Sequence, residues 1–295
     1  MTDLCVAHLV RRTNPPAVFQ EFLHSYATNP AGEEHDLLII FKGFSGLREL
    51  APYEAMLEGV AHRRAYVHDY GFDIGSYRKV ASSFPYAHFA FLNSFCRIAQ
   101  PGWLQSMRRH AQRPGVGVVG ATASHQSILS DLVEMRLALQ SRRGTWMLAL
   151  RRHGRYFLSA RNRFSPYPNP HVRTNAFLIG RELLRNLRHP PALTKWDAYR
   201  FESGVHGLTQ QIVDAGFLAL VVGRDGQAYE SAEWPDSRTF WCSSQENLLV
   251  EDNQTKAYAN GDREAREKFA YLAWRRWPDG RSRIQAPMSF FAPAY

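Results

Sequence analysis

The chain has 295 residues, 45% of them hydrophobic, and carries 36 Lys and Arg against 27 Asp and Glu for a formal charge of +9. That apolar content buries a large core, and no run approaches the roughly 18 to 20 apolar residues that a bilayer-spanning helix needs. Three cysteines, Cys5, Cys96 and Cys242, are odd in number and far apart, which excludes a disulfide framework and a Cys-x-x-Cys zinc site and predicts buried thiols.

The opening "MTDLCVAHLVRR" lacks the basic-then-apolar order of a signal peptide, so a cytoplasmic protein is expected. The twelve histidines show no short metal spacing and read as structural or surface residues. Lys occupies only five of the 36 Lys and Arg positions, so the positive charge is carried by guanidinium forks. Such forks suit phosphates; a solvated Arg-rich surface is the plainer reading.

In chain order, short apolar runs fall at 4–10, 37–41, 65–67, 89–92, 116–120, 176–179 and 217–222, and each reads as a buried strand. Helical spacing appears between them, in Leu47, Leu50, Tyr53, Leu57 and Val60, and again in Ile128, Leu132, Met135 and Leu139. Pro101 opens a helix over 102–110, Pro190 stops one over 181–189, and Gly216 ends one over 205–215. The alternation predicts an α/β fold of parallel strands joined by crossover helices, with ligands beyond the carboxyl ends of the strands.

Residues 141–173, rich in Arg and aromatics and closing on a proline cluster, read as an excursion over the sheet edge. A catalytic domain over 1–235 and a C-terminal appendage over 236–295 are expected, with Asp262 capping a last amphipathic helix that carries Phe269, Leu272 and Trp277. "QENLLVEDNQTKAY", 245–258, reads as a solvated surface segment, the alternative being a loop folded over a bound nucleotide. Trp274, Trp277, Phe290 and Phe291, with Arg275, Arg276, Arg281 and Arg283, suit either peripheral contact with a membrane surface or packing on the domain.

The chemistry concentrates in "HDYGFDIGSYRKV", 68–80, which places Asp69, Gly71, Asp73 and Gly75 at alternate positions after a strand. It is not a calcium loop, because Val80 stands where the bidentate Glu belongs, and its glycines match neither a dinucleotide fingerprint nor a P-loop. Gly71 and Gly75 allow backbone to approach a bulky ligand, and carboxylates accept from sugar or ribose hydroxyls. The plain alternatives are that Asp73 caps the helix that follows and that Asn93 is a turn residue at a strand end.

The order strand, acidic-glycine loop, helix, strand, "LNSFCRIAQPGWL" resembles the GT-A glycosyltransferases, and most closely their rhamnan-synthesis type. The resemblance covers roughly residues 1–225. It implies a GT-A-like, Rossmann-related sheet and a nucleotide-sugar donor, held by Asp69, Gly71, Asp73, Gly75, Asn93 and Ser94. It implies transfer to a saccharide or lipid-linked acceptor, with inversion, in cell-surface polysaccharide synthesis. "FESGVHGLTQQI" keeps the outline of the segment bearing the family's general base, which implies that role for Glu202, with Asp197 as the substitute and Arg173 and Asn175 near phosphate or acceptor. The plain alternative for Glu202 is an acid favoured by the dipole at a helix start.

The chain departs from the family where the metal-binding Asp-x-Asp should be, since Asn93-Ser94-Phe95 has no carboxylate. A hard Mg²⁺ or Mn²⁺ ion wants anionic oxygens, so either Asp69 or Asp73 supplies them or arginines neutralise the leaving diphosphate without a metal. Metal independence is the favoured reading. Two other classes stand beside it: a nucleic-acid-binding protein using the Arg and aromatic stretch 142–173, disfavoured because no binding motif accompanies the charge, and a non-catalytic protein of the GT-A fold.

Overall fold

The computed structural model describes residues 2–140 and 158–276. In chain order its strands are β1 (Leu4–Arg11), β2 (Asp36–Lys42), β3 (Arg63–Val67), β4 (His88–Leu92), β5 (Arg97–Ile98), β6 (Val116–Gly120), β7 (Ala123–Ser124), β8 (His171–Val172), β9 (Ala176–Gly180), β10 (Leu218–Val222), β11 (Ala228–Tyr229) and β12 (Val250–Glu251). Eight of them form one sheet in the order β11-β10-β6-β9-β4-β1-β2-β3. The fold is α/β with a mostly parallel central sheet: β1 runs parallel to β2 and β4, β2 to β3, and β6 to β10.

All seven apolar runs are strands of this sheet, and β1 shows why they read as continuous rather than alternating. Cys5, Ala7 and Leu9 enter the core on one face while Leu4, Val6 and Val10 enter the core on the other. A sheet covered on both faces leaves no polar side to record. His8 is also fully buried, stacked on Phe22 with ring centroids 3.5 Å apart, and burial pushes its imidazole down to about 3, so it is a neutral core residue. The helix Pro16–Thr28, whose first turn begins with a proline, supplies Phe19 and Phe22 to that face.

Two expectations are corrected. β9 is antiparallel to both β4 and β6, because the chain leaves the sheet at the carboxyl end of β6 and returns at the same edge, without a crossover to reverse it. β3 is an edge strand with Arg63, Arg64 and Tyr66 exposed, and its arginines blunt the open edge.

The C-terminal segment is woven into the domain. β12 pairs with β5, Leu249 and Val250 are buried in the core, and Asp252 and Thr255 are sealed from solvent, so 245–258 is no solvated surface segment. Asp262 accepts a hydrogen bond from Ala265 N and caps the helix Arg263–Trp274 as expected. Trp274 is buried with its indole N–H on Phe240 O at 2.9 Å, Arg275 pairs with Asp131, and Arg276 pairs with Asp236. Of the cluster for which membrane contact and packing on the domain stood as alternatives, these three side chains bond to the domain; Trp277, Arg281, Arg283, Phe290 and Phe291 lie outside the described residues, as do residues 141–157 of the Arg-rich excursion. Among the described residues no helix is long and apolar enough to cross a membrane.

Candidate functional site

Parallel β1, β2, β3 and β4 end at one edge of the sheet, and each delivers polar residues there: Arg11, Lys42, the 68–73 loop, and Asn93 with Ser94. Antiparallel β9 begins at this edge. Asn93 N donates to Asn175 O at 2.7 Å, which sets 171–175 beside the end of β4. The reversal of one strand thus adds a second segment to the edge.

The turn into the helix Phe72–Ser83 is left-handed at Gly71 (φ 87) and Phe72 (φ 49), and a Cβ on Gly71 would lie 3.3 Å from Gly75 Cα. Gly71 is therefore required by the backbone itself. Gly75 has ordinary room for a Cβ. Asp69 is exposed and meets Arg11 at 3.4 Å. Asp73 lies in the first turn, yet that helix has no side-chain cap, so the capping alternative for Asp73 is ruled out. Burial raises its carboxyl above the usual range and Glu202 adds to the rise, while Arg11 and Lys42 pull it down.

Asn93 does hold a strand-end turn: its side-chain oxygen accepts from Phe95 N at 3.0 Å and from the Cys96 thiol at 3.4 Å. Among the described residues Ser94 Oγ and Asn175 Nδ2 are buried at the same edge without a partner, while Asn175 Oδ1 accepts from Thr122 Oγ1 at 2.9 Å. A buried polar atom left unpaired costs free energy, and such atoms cluster where ligands complete the bonding. Cys5 and Cys96 are buried thiols as expected, and Cys242 is half-buried.

Glu202 occupies the last turn of the helix Lys195–Ser203, not the first turn of the next, Leu208–Asp214, which is capped at Gly207. An acid near a helix carboxyl end is opposed by the dipole, so the helix-start explanation fails. What holds Glu202 is Thr174, whose N–H and hydroxyl both donate to Oε2, at 2.7 and 2.5 Å. The carboxylate lines a small cleft with Ser124, Gln126, His171, Tyr199 and Phe240. His171, which sequence reasoning passed over, is buried. Burial lowers its pKa against the pull of Glu202, and its Nδ1 lies 2.8 Å from Asn169 O, a contact that requires the proton on Nδ1.

Two expected site residues are committed elsewhere. Asp197 Oδ2 accepts from Leu193 N, Thr194 N and Thr194 Oγ1 at 3.0 to 3.1 Å, closing a capping box with Thr194. Burial alone would raise its pKa; these hydrogen bonds and Arg200 outweigh it and leave the carboxyl below the usual range, unsuited to a base. Arg173 lines the Glu202 cleft, but its charge is matched by buried Asp252 at 2.7 Å and its guanidinium covers the Phe240 ring at 4.3 Å. It ties the C-terminal segment to the cleft wall. Asp252 had no sequence signal beyond being an acid in a polar stretch.

The Asn93 oxygen is engaged in its turn, 93–95 offers no carboxylate, and among the described residues no group of three His, Cys, Asp or Glu is placed to hold a metal.

No protein-family model matches the chain, and no curated protein matches it. Among solved structures it is similar to a glucosyl-3-phosphoglycerate synthase from Mycobacterium tuberculosis in complex with Mn²⁺, UDP and phosphoglyceric acid (14% identity, 64% of this chain and 60% of that one, TM-score 0.37). It is also similar to a mannosyltransferase from Pyrobaculum calidifontis in complex with GDP-mannose and Mn²⁺ (13%, 92% and 69%, 0.48) and to S. aureus TarS (10%, 75% and 35%, 0.41). At these identities and TM-scores the likenesses assign no activity to this chain.

Proposed function

We propose that this protein is a glycosyltransferase that moves a sugar, of the hexosyl or rhamnosyl type, from a nucleotide donor to a saccharide or lipid-linked acceptor in polysaccharide synthesis. The observation that carries the reading is the meeting of two separate segments at one strand edge: Asn93 N donates to Asn175 O at 2.7 Å, which sets Thr174, and the Glu202 carboxylate it holds, beside the end of β4. Asp73 stands in the first turn of the helix that follows the 68–73 loop, its carboxyl raised mainly by burial, and among the described residues Ser94 and Asn175 keep unpaired polar atoms at that edge. Asp69, Gly71, Asp73, Gly75, Asn93 and Ser94 form the donor side. Glu202, oriented by Thr174, with Asn175 and Arg173 nearby, forms the acceptor side.

In the proposed step the acceptor hydroxyl oxygen attacks the anomeric carbon as the bond from that carbon to the diphosphate oxygen breaks. The hydroxyl proton passes to Glu202, the nucleoside diphosphate leaves, and the configuration inverts. The backbone turn at Gly71 admits the donor's phosphates, and Arg11, with its Nε unpaired, meets their charge without a metal.

Thermal shift and calorimetry with UDP, GDP and dTDP, with and without Mn²⁺, test the donor side; absence of binding at millimolar concentration overturns the reading. Glu202→Gln tests the acceptor side. A base contributes roughly 10² to 10⁴ in rate, so turnover falls by that factor while nucleotide affinity holds. Turnover within a few-fold of wild type would remove Glu202 from the chemistry.

A further inference from the structure

We propose that Lys42 is a positioning residue whose ammonium acts as a built-in cation for the 68–73 loop, fixing the turn that presents Asp69 and Asp73; its consequence for donor binding rests on the glycosyltransferase reading. Lys42 is the last residue of β2 and is fully buried, which lysine almost never is unless its charge is matched. No carboxylate forms an ion pair with it among the described residues. Its Nζ donates instead to Tyr70 O at 2.8 Å, Phe72 O at 2.9 Å, His68 O at 3.3 Å and Ser76 Oγ at 3.4 Å.

The three carbonyls belong to alternate residues, 68, 70 and 72, so the chain wraps the ammonium on one side. The side chains of Asp69 and Asp73 are left out of its hydrogen bonding. Two successive left-handed residues, Gly71 and Phe72, bring this about, and a non-glycine residue at positive φ is strained unless its surroundings hold it. The Phe72 carbonyl that Lys42 binds is the one at that strained residue. Carbonyl coordination has a consequence an ion pair would not. Lys42 attracts Asp69 and Asp73 through space without hydrogen-bonding to either, so neither carboxylate is occupied by the ammonium, and among the described residues only Asp69 Oδ1 is shared, with Arg11 at 3.4 Å. Desolvation pulls the ammonium below the ordinary lysine range, and the two aspartates oppose that pull.

The test compares Lys42→Met, which keeps the side-chain length and removes the charge, with wild type by hydrogen exchange. Exchange across 68–76 is expected to rise at least tenfold while β4 stays protected, and the donor KM to rise at least tenfold with the acceptor KM unchanged. Exchange across 68–76 within twofold of wild type overturns the proposal. Where the variant fails to fold, the wild-type protein decides: nitrogen NMR of its five lysines should show one ammonium shielded from exchange with water, and five freely exchanging ammoniums would equally overturn it. Failure of every nucleotide to bind wild type would sink the donor reading alone, because the exchange and NMR results judge the role of Lys42 without any ligand.

Discussion

Replacing Asp252 by Asn isolates the charge of the buried Arg173–Asp252 pair. Asp252 is fully buried and Arg173 nearly so, with Oδ2 accepting from the guanidinium at 2.7 Å and Oδ1 accepting from Gln254 N and Thr255 N at 3.0 and 2.8 Å. Asparagine can keep the second set of contacts while its amide opposes the guanidinium, leaving a buried charge without a counterion. Removing one partner of a buried pair costs about 3–5 kcal/mol. Asp252→Ala removes the cap of the helix Asn253–Asn260 as well, for about 1 kcal/mol more. At about 2 °C per kcal/mol for a chain of this size, Asp252→Asn should lower Tm by roughly 6–10 °C. Denaturant unfolding followed by tryptophan fluorescence reads the change, since Trp234, Trp241 and Trp274 are buried. Arg173→Met combined with Asp252→Asn should recover much of the loss, because a pair removed together leaves no orphan charge. Strict additivity of the two substitutions, or a loss under about 1 kcal/mol for Asp252→Asn alone, would refute the reasoning.

Two further predictions concern a buried acid and a glycine. Burial raises the Asp131 carboxyl to about 6 against the pull of Arg275 and Gln126. The folded chain therefore holds a proton that the unfolded chain releases near pH 4, and this group's contribution to stability falls as pH rises from about 4 to 6, by roughly 3 kcal/mol at 1.36 per pKa unit. Subtracting the unfolding free energy of Asp131→Asn from that of wild type across pH 4 to 7 should show this decline; a constant difference would contradict it. Gly43 has φ 78, and its added Cβ would lie 2.9 Å from Asp69 Cβ, whereas Gly59 has φ 77 and open space. Both Ala substitutions should cost about 1–2 kcal/mol of backbone strain. Only Gly43→Ala should weaken nucleotide binding, and equal affinity in the two variants would remove Asp69 from the donor side.

The strands were legible because β1, β2 and β4 face core on both sides, so nearly every residue in them is apolar. The 68–73 turn was legible too, since Gly71 is demanded by a local backbone angle. The position of Glu202 was misread. A Glu-Ser-Gly string resembles a helix start, but the helix begins earlier, at the Thr194–Asp197 capping box, and that box also removes Asp197 from the candidate bases. Segment 245–258 was misread because its polar residues bond to buried partners distant in sequence, such as Asp252 with Arg173 across 79 positions, and composition records polarity without partners.

By itself the sequence determined seven of the eight main-sheet strands, two strand ends that carry the 68–73 loop and Asn93, and the acids and amides available there, because apolar runs and turn residues act over a few neighbours. The tertiary structure alone decided that β9 runs backwards, that Lys42 turns inward to bind loop carbonyls, and that Asp252 closes on Arg173. Each of those depends on which distant groups satisfy a buried charge or an unpaired backbone atom, and that matching exists only once the chain has folded.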